Sequence, residues 1–279
     1  MESVYDANHA IYNEQLKSGR RYYCEEYNVI KELALNREFS DNCLENMRIL
    51  DLGCGSGEFV AHMIQKGAQT AIGIDISQKM IDDANNLLSS QPQLSSRFSF
   101  AKANCFSIEN VQEILPLEKY AGYFDAITSI FLLCYAQSER ELNDLFCLCN
   151  KYLKENGTFA FITTNPRIAL EFPEYQEKTK TGGFRLLSLQ ENNGLPLLEG
   201  GFCDIDTNEL RFTVSNIIYS RAQIQSASEQ NGFEIETTFY PAFHPDFDIT
   251  SLSTRISIDF LNGNDSISFF FKAKKVRSL

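Results

Sequence analysis

The chain has 279 residues, of which 43% are hydrophobic, and its formal net charge is −12 at pH 7. This length exceeds what one minimal domain needs and allows a full hydrophobic core with an insertion. The negative charge disfavours a nucleic-acid substrate, because an acidic surface repels phosphate backbones.

Cysteine spacing and hydropathy predict a cytoplasmic protein. The eight cysteines include no C-x-x-C pair, which favours reduced thiols over a disulfide framework or a zinc site. The N-terminus shows no basic region followed by an apolar stretch, so no signal peptide is visible. No apolar run of about 18 residues predicts a membrane span, and no dense cluster of His, Asp and Glu predicts a bound metal.

Residues 1–46 precede the predicted core and are rich in tyrosine. Their pattern predicts a helix from Asn13 to Leu35, broken near Gly19. One interpretation is an amphipathic helix packed on the sheet edge. The other is a lid over a binding site.

A glycine-rich turn follows the first predicted strand. The apolar run 49–52 ends in Gly53, Gly55 and Gly57, and a helical pattern begins at Glu58. Glycines let the backbone approach a ligand closely, and the N–H groups that start a helix favour a polar or anionic group. A dinucleotide fingerprint would place the third glycine three residues after the second, so the spacing disfavours a nicotinamide-linked enzyme.

The run Asp51-Leu-Gly-Cys-Gly-Ser-Gly57 resembles motif I of the class I S-adenosylmethionine-dependent methyltransferases. In that family the loop surrounds the amino-acid part of the cofactor. The resemblance therefore implies S-adenosylmethionine as the cofactor, with Asp51 and Cys54 beside the glycines.

A second apolar run, Thr70 to Asp75, ends in a carboxylate, and Ser77 is placed to cap the next helix. An acid about 20 residues after a glycine loop is placed to accept hydrogen bonds from ribose hydroxyls. Asp75, Ile76 and Met80 are therefore predicted cofactor contacts.

The third predicted strand, Arg97 to Ala103, ends at Asn104. Many members of the family carry an acid here that accepts from the adenine amino group. Asn104 can accept through its amide oxygen but is neutral. Ala103, Asn104 and Cys105 are predicted to line the adenine pocket.

The fourth predicted strand runs from Gly122 to Ile130, and its Tyr-Phe-Asp lead-in resembles motif IV. The loop from Phe131 to Ala136 lacks the Asn/Asp-Pro-Pro-aromatic signature of enzymes that methylate nucleic-acid bases. It resembles instead small-molecule methyltransferases of natural-product pathways, of the toxoflavin type. The resemblance implies cofactor contacts from Ile130 and Phe131 and a substrate contact from Tyr135.

Tyr5-Asp6 and Tyr12 also resemble N-terminal elements that close over cofactor and substrate in small-molecule methyltransferases. The resemblance implies that Tyr5 contacts substrate and that Tyr12 contacts cofactor. Arg21 is predicted to reach the cofactor's carboxylate.

Residues 47–166 alternate strand and helix patterns, which predicts a parallel, doubly wound sheet with ligands at the carboxyl ends of its strands. The Ser138–Leu153 helix begins with a predicted capping box of Ser138 and Glu141. The fifth strand, Gly157 to Thr164, stops at Asn165-Pro166.

From Arg167 onward the sequence pattern changes to short runs of alternating apolar and polar residues, separated by glycines. Predicted antiparallel strands cover 184–189, 202–206 and 209–218. This insertion is expected to lie over the cleft and recognise substrate. A helix capped by Ser220 and two final strands, 233–240 and 266–274, complete the core, with the last strand antiparallel.

The prediction as a whole is an α/β fold with a seven-stranded, mostly parallel sheet, a small antiparallel insertion and an N-terminal helical lid. The predicted divisions are residues 1–46, 47–166, 167–216 and 217–279. The predicted substrate contacts are Tyr5, Tyr135, Asn165 and His244.

The predicted reaction is methyl transfer to a nitrogen or oxygen of a small aromatic or heterocyclic molecule, by a monomer or homodimer that binds neither nucleic acid nor membrane. Two alternatives remain open. One is an inactive cofactor-binding module on the same fold, and the other is a nicotinamide-linked oxidoreductase.

Overall fold

The computed structural model describes residues 3–16, 22–34, 40–94, 96–180, 183–204, 207–241 and 266–279. The main sheet contains seven strands: Arg48–Leu52 (β1), Thr70–Asp75 (β2), Phe98–Lys102 (β3), Phe124–Ile130 (β4), Leu153–Thr164 (β5), Phe233–Phe239 (β9) and Ser268–Lys275 (β10). Their order across the sheet is β3-β2-β1-β4-β5-β10-β9. The first five are parallel neighbours, and β10 runs antiparallel to β5 and β9, as predicted.

Nine α-helices lie in the described residues: Val4–Leu16 (α1), Tyr27–Leu33 (α2), Glu58–Gln65 (α3), Gln78–Ser90 (α4), Ile108–Ile114 (α5), Leu117–Tyr120 (α6), Glu139–Tyr152 (α7), Phe172–Thr179 (α8) and Arg221–Gln230 (α9). Helices α2, α3 and α4 bury apolar side chains on one face of the sheet. Helices α5, α7 and α9 do so on the other. The sequence pattern did not predict α5, α6 or α8.

The chain winds outward from β1 to β3 and then returns to the other side of β1 to form β4. This reversal is the topological switch point, where open α/β sheets bind ligands beyond the carboxyl ends of the strands. The glycine turn after β1 and the loop after β4 both leave the sheet at this edge.

The predicted N-terminal helix has the wrong bounds. The structure begins α1 at Val4, well before the predicted start at Asn13, and follows it with a π-helical turn at Tyr22–Glu26 and then α2. Polar side chains on α1 find partners on α4, and such tertiary contacts are invisible to a local periodicity argument.

The insertion forms a separate antiparallel sheet of Phe184–Asn192 (β6), Leu195–Cys203 (β7) and Leu210–Ile217 (β8). The prediction for its middle strand, residues 202–206, is wrong, because Gly200 and Gly201 lie inside β7. A Cβ on Gly200 would stand 2.2 Å from the Phe184 ring. The glycine pair therefore marks close packing over a strand.

The helix caps mostly follow the sequence. Ser77 Oγ accepts from the Met80 backbone N–H, and Ser220 forms a complete capping box with Gln223. At α7, Ser138 accepts from Glu141 as predicted, but the Glu141 carboxylate accepts from the backbone N–H of Gln137. The reciprocal half of that predicted box is therefore shifted by one residue.

All eight cysteines lie in described residues and are free thiols, seven of them buried. No group of three or more His, Cys, Asp or Glu within the described ranges is arranged to hold a metal ion. No helix in the described part of the chain is long and apolar enough to cross a bilayer.

Candidate cofactor and substrate site

The glycine turn after β1 is held against the end of β2. The backbone N–H groups of Gly53 and Cys54 both donate to the Ile74 carbonyl, at 2.8 and 3.0 Å. Gly53, Gly55 and Gly57 have φ values of 73°, 54° and 81°, which L-residues with side chains rarely adopt. The backbone conformation of this turn therefore requires the glycines that the sequence supplies.

Two of these glycines have different spatial roles. A Cβ on Gly57 would stand 2.4 Å from the Phe100 ring, so this glycine lets α3 pack closely on its neighbours. A Cβ on Gly55 would meet nothing within 4 Å. The space over Gly55 is therefore open, and a cofactor can lie against the backbone there.

Asp75 links the glycine turn to the start of α4. Its Oδ2 accepts from the Gly55 backbone N–H at 2.9 Å, and its Oδ1 accepts from the Ser77 backbone N–H at 2.8 Å. A carboxylate oxygen can accept more than one hydrogen bond, and ribose hydroxyls are donors of the kind that it binds. The open space at Gly55 and the acceptor at Asp75 together fit S-adenosylmethionine.

Asp51 and Cys54 support the turn from within. Asp51 is buried and accepts a hydrogen bond from the Thr128 hydroxyl on β4 at 2.6 Å. Burial raises the pKa of the Cys54 thiol well above its usual value. Cys54 is therefore a neutral packing residue, and nothing in its surroundings activates it as a nucleophile.

The predicted adenine contacts lie together beyond β3. Ala103 and Cys105 are buried, and burial raises the pKa of the Cys105 thiol. The Asn104 amide oxygen accepts from the Phe106 backbone N–H at 3.0 Å. That bond fixes the amide's orientation and occupies one of the oxygen's two acceptor positions.

The carboxyl end of β4 carries Ile130, which is buried, and Phe131, which has a φ of 60°. Positive φ in a bulky residue is an outlier that concentrates at functional sites. The Phe131 backbone N–H donates to the Ile162 carbonyl at 2.8 Å, which anchors the residue on β5. A 3₁₀ turn at Leu133–Tyr135 then brings Tyr135 back over the sheet edge.

Helix α1 is fastened to the start of α4. Asp6 Oδ1 accepts from the Ser77 hydroxyl at 2.7 Å and from the Lys79 backbone N–H at 3.2 Å. His9 Nδ1 lies 2.7 Å from Asp83 Oδ2. Burial opposes ionisation of Asp6, but hydrogen bonds from Ser77 and from backbone N–H groups lower its pKa overall.

Aromatic side chains from three segments meet above the loop that follows β4. The Tyr5 and Tyr135 hydroxyl oxygens are 2.5 Å apart. The ring centroids of Tyr5 and Phe212 are 6.3 Å apart, those of Tyr12 and Phe202 are 5.5 Å apart, and Phe202 stacks on Phe212 at 4.6 Å. The N-terminal helix, the loop after β4 and the inserted sheet thus converge on one aromatic cluster.

Five other predicted site residues lie away from the glycine turn and the aromatic cluster, or outside the described residues. Ile76 is exposed and Met80 is buried at the start of α4. Asn165 is fully buried. Its Nδ2 donates to the Tyr175 hydroxyl and the Ser266 carbonyl, and its Oδ1 accepts from the Arg167 backbone N–H, so the structure gives it a structural role. Arg21 and His244 lie outside the described residues.

The sequence did not predict site roles for Ser77 and Thr128, and it gave Asp6 only as part of the Tyr-Asp element that resembles a lid. Ser77 was predicted as a helix cap, and it does cap α4. The same residue also donates its hydroxyl to Asp6 and its backbone N–H to Asp75. Only the tertiary arrangement reveals this second use, because Asp6 and Ser77 are far apart in the sequence.

Comparison with known proteins agrees with this geometry. The family described as a methyltransferase domain matches residues 20–238. The chain is 33% identical over 127 residues to an uncharacterised protein of Haemophilus influenzae, covering 44% of each chain. It is 28% identical over 138 residues to a ubiquinone biosynthesis O-methyltransferase of Pelagibacter ubique, covering 50% of each.

The fold also resembles a solved S-adenosylmethionine-dependent methyltransferase of Clostridium acetobutylicum. The TM-score is 0.60 at 16% identity, over 95% of this chain and 98% of that one. By contrast, the matches to the curated relatives span about half of their length.

The sheet order, the glycine turn and Asp75 define a class I, Rossmann-like methyltransferase fold. The chain belongs to the methyltransferase domain family. Its cofactor is S-adenosylmethionine.

Proposed function

We propose that the protein transfers a methyl group from S-adenosylmethionine to a nitrogen or oxygen of a small aromatic or heterocyclic molecule. The observation that carries this proposal is the aromatic cluster of Tyr5, Tyr12, Tyr135, Phe202 and Phe212. It lies beside the carboxyl end of β4, next to the switch point of the sheet. Aromatic walls with a few hydroxyls suit a flat acceptor held by ring contacts.

Different residues of the site would bind different parts of the cofactor. Gly53, Gly55 and Gly57 would hold the amino-acid part of the cofactor, and Asp75 would accept from the ribose hydroxyls. Ala103, Asn104 and Cys105 would line the adenine pocket, with Ile130 and Phe131 beside the reacting end. When bound, the cofactor supplies an electrophilic methyl group on a positively charged sulfur.

Methyl transfer requires this chain mainly to position the two reactants and to exclude water. The residues of the site would hold the acceptor atom in line with the methyl group that the bound cofactor supplies. Holding the two reactants in line converts a bimolecular step into an intramolecular one. The tyrosine and phenylalanine rings would cover the reacting atoms and exclude water.

The predicted absence of a nucleic-acid substrate remains part of the proposal. Its support is the charge of −12 and the missing base-methyltransferase signature after β4. The proposed assembly is a monomer or homodimer. The name of the Pelagibacter relative, a ubiquinone biosynthesis O-methyltransferase, supports an oxygen acceptor.

Two measurements test the proposed function. Calorimetry with S-adenosylhomocysteine and with a nicotinamide dinucleotide should show binding of the first alone. Mass spectrometry should then detect methyl transfer to members of a panel of phenols and nitrogen heterocycles. Cofactor binding without any transfer would favour the inactive cofactor-binding module. Binding of the dinucleotide without S-adenosylhomocysteine would overturn the proposal.

A further inference from the structure

Asn216 lies on β8, on the same face as Phe212. Phe212, Val214 and Asn216 are all buried, as the two-residue period of a strand requires for side chains that share one face. Phe212 packs against Tyr5, and the Asn216 side chain lies beside the hydroxyl of Tyr135. The amide therefore belongs to the same aromatic cluster as the two tyrosines.

The Asn216 amide nitrogen is an unused hydrogen-bond donor. The residue is 6% exposed, yet among the described residues its Nδ2 makes no hydrogen bond within ordinary distance and angle limits, and the polar group that it approaches is the Tyr135 hydroxyl. Leaving a buried donor unsatisfied destabilises the folded protein, so natural structures rarely retain one without a use. A bound ligand that supplies an acceptor would remove this cost.

The hydroxyls of Tyr5 and Tyr135 supply more hydrogen-bond donors beside Asn216. Tyr5 and Tyr135 each carry one O–H, and the single bond between them uses only one of these protons. The other O–H still needs an acceptor, and so does at least one of the two Asn216 amide N–H groups, because only one of them can be directed at the Tyr135 hydroxyl. The largest influences on the pKa values of both tyrosines are burial and neutral side chains, so no neighbouring carboxylate dominates there.

We propose that Asn216, together with the Tyr5 and Tyr135 hydroxyls, forms a donor site that binds a carbonyl or phenolate oxygen on the ring of the methyl acceptor. This inference deepens the proposed function and rests on it. A neutral, donor-rich site stabilises an oxygen acceptor, whereas a substrate ammonium group brings only further donors. The preferred substrates are therefore ring compounds that carry such an oxygen.

The first test is stability without ligand. Asn216→Leu replaces the unpaired amide with an apolar side chain of similar size, so the melting temperature should stay unchanged or rise. Ser215→Ala, at the exposed neighbouring position on β8, is the matched control. A fall of more than about 5 °C for Asn216→Leu alone would mean that the amide supports the fold, and would overturn the inference.

The second test measures ligand preference in protein saturated with S-adenosylhomocysteine. The probes are 4-nitrophenol, whose visible absorption reports its phenolate, and benzylamine, an ammonium of similar size. The native protein should bind 4-nitrophenol more tightly. Asn216→Leu should weaken that binding about tenfold and change benzylamine binding less than twofold, as expected for loss of one hydrogen bond to a charged oxygen.

Asn216→Asp, which exchanges donors for acceptors, should reverse the preference between the two probes. Failure of the native protein to bind 4-nitrophenol, or equal losses for both probes, would overturn the donor site. Failure to bind S-adenosylhomocysteine would instead overturn the proposed function. If the protein does not bind S-adenosylhomocysteine, comparing the binding of 4-nitrophenol and benzylamine in its absence still tests the donor site.

Discussion

At the scale of single residues, Asp75 combines a proposed binding role with a structural one. Its two oxygens accept from the backbone N–H groups of Gly55 and Ser77, so the carboxylate holds the glycine turn in place in addition to its proposed contact with the ribose. A substitution at this residue therefore changes both the ligand contact and the shape of the turn.

We expect both Asp75→Asn and Asp75→Ala to weaken S-adenosylhomocysteine binding at least tenfold, because hydrogen bonds to a charged group contribute about 1.5–3 kcal/mol each. The melting temperature of the ligand-free protein should fall more for Ala than for Asn, which retains one acceptor oxygen. Calorimetry and thermal unfolding measure the two effects.

Asp144→Asn is the matched control for the Asp75 variants, because it removes the same charge from α7 at a half-exposed position. It should change neither quantity. Unchanged cofactor affinity in both Asp75 variants would place this carboxylate outside the cofactor site.

Tyr135 is a second residue whose hydroxyl and ring can be separated. Tyr135→Phe removes the hydroxyl partner of Tyr5 and keeps the ring, whereas Tyr135→Ala removes both. We expect turnover to fall for Phe and to fall further for Ala, with cofactor affinity nearly unchanged. Tyr120→Phe, a tyrosine beside Tyr123 and Phe124, serves as the control. Equal turnover in Tyr135→Phe and the native protein would assign Tyr135 a packing role alone.

The ionisation of these hydroxyls gives a pH prediction. Burial raises the pKa of Tyr5 and of Tyr135 above the usual value of 10.0, so both remain protonated donors through neutral and mildly alkaline pH. A raised pKa contributes stability that is present below the unfolded value and is lost as pH rises above it. Deprotonation of Tyr5 and Tyr135 should therefore not weaken the binding of the methyl acceptor below about pH 10. A titration of 4-nitrophenol binding in Tyr135→Phe and native protein checks this.

At the scale of elements, α1 is the segment whose position depends most on a few polar contacts. Asp6 joins it to the N-terminus of α4 through the Ser77 hydroxyl and the Lys79 backbone N–H. An acid at this position also interacts favourably with the helix dipole. Because the Ser77 backbone N–H also donates to Asp75, α1 and the proposed ribose-binding acid are both held by Ser77.

Asp6→Ala should release α1 without unfolding the core, since the lost bonds contribute only about 1–2 kcal/mol. Hydrogen–deuterium exchange should accelerate in residues 4–16 and stay constant in β1 and β4. The control is Asp82→Ala, whose carboxylate accepts from Gln78 on its own helix. The lowered pKa of Asp6 means that acid releases α1 only below the usual carboxyl range. Equal protection of residues 4–16 in Asp6→Ala and native protein would contradict this role.

The inserted sheet depends on its glycines in a way that the sequence pattern did not reveal. A Gly200→Ala substitution places a methyl group 2.2 Å from the Phe184 ring, so the ring must move or the strand must shift. We expect a loss of about 1–3 kcal/mol of unfolding free energy, as for other overpacked sites.

Chemical denaturation of Gly200→Ala and of the double variant with Phe184→Ala measures this effect. The two losses should be less than additive, because Phe184→Ala removes the group that the methyl meets. Simple addition of the two losses would show that the ring is not the obstacle.

At the scale of the whole molecule, the sequence predicts the parts of the fold that local chemistry determines. The strand ends at Leu52 and Asp75, and the helix start at Glu58, were predicted to the residue because an apolar run, glycines or a cap mark each boundary. The convergence of α1, the Tyr135 turn and the inserted sheet was also predicted, from where each segment leaves the core.

What the sequence did not predict depends on distant partners. The path of β7 through two glycines follows from the Phe184 ring and leucine side chains packed against it, and the start of α1 follows from contacts with α4. The unpaired amide of Asn216 has no local signature at all, because a buried donor is recognised only when every neighbour is known.

Charge is a property of the whole surface, and here it predicts what the protein will not bind. The net charge is −12. The described residues include a lysine-lined cavity of about 470 Å³ at the opposite edge of the sheet. Two of its three lysines are engaged: Lys275 donates to the Asn150 and Leu153 carbonyls, and Lys154 pairs with Asp125.

We therefore expect no detectable binding of duplex or single-stranded nucleic acid at physiological salt. Fluorescence anisotropy with labelled oligonucleotides, repeated at several salt concentrations, is the measurement, because the salt slope counts the phosphate contacts. Lys151→Glu is the matched variant for the lysine-lined cavity and should leave the result unchanged. A measurable affinity with a steep salt slope would reverse the conclusion about substrates, and its loss in Lys151→Glu would locate the phosphate contacts at this cavity.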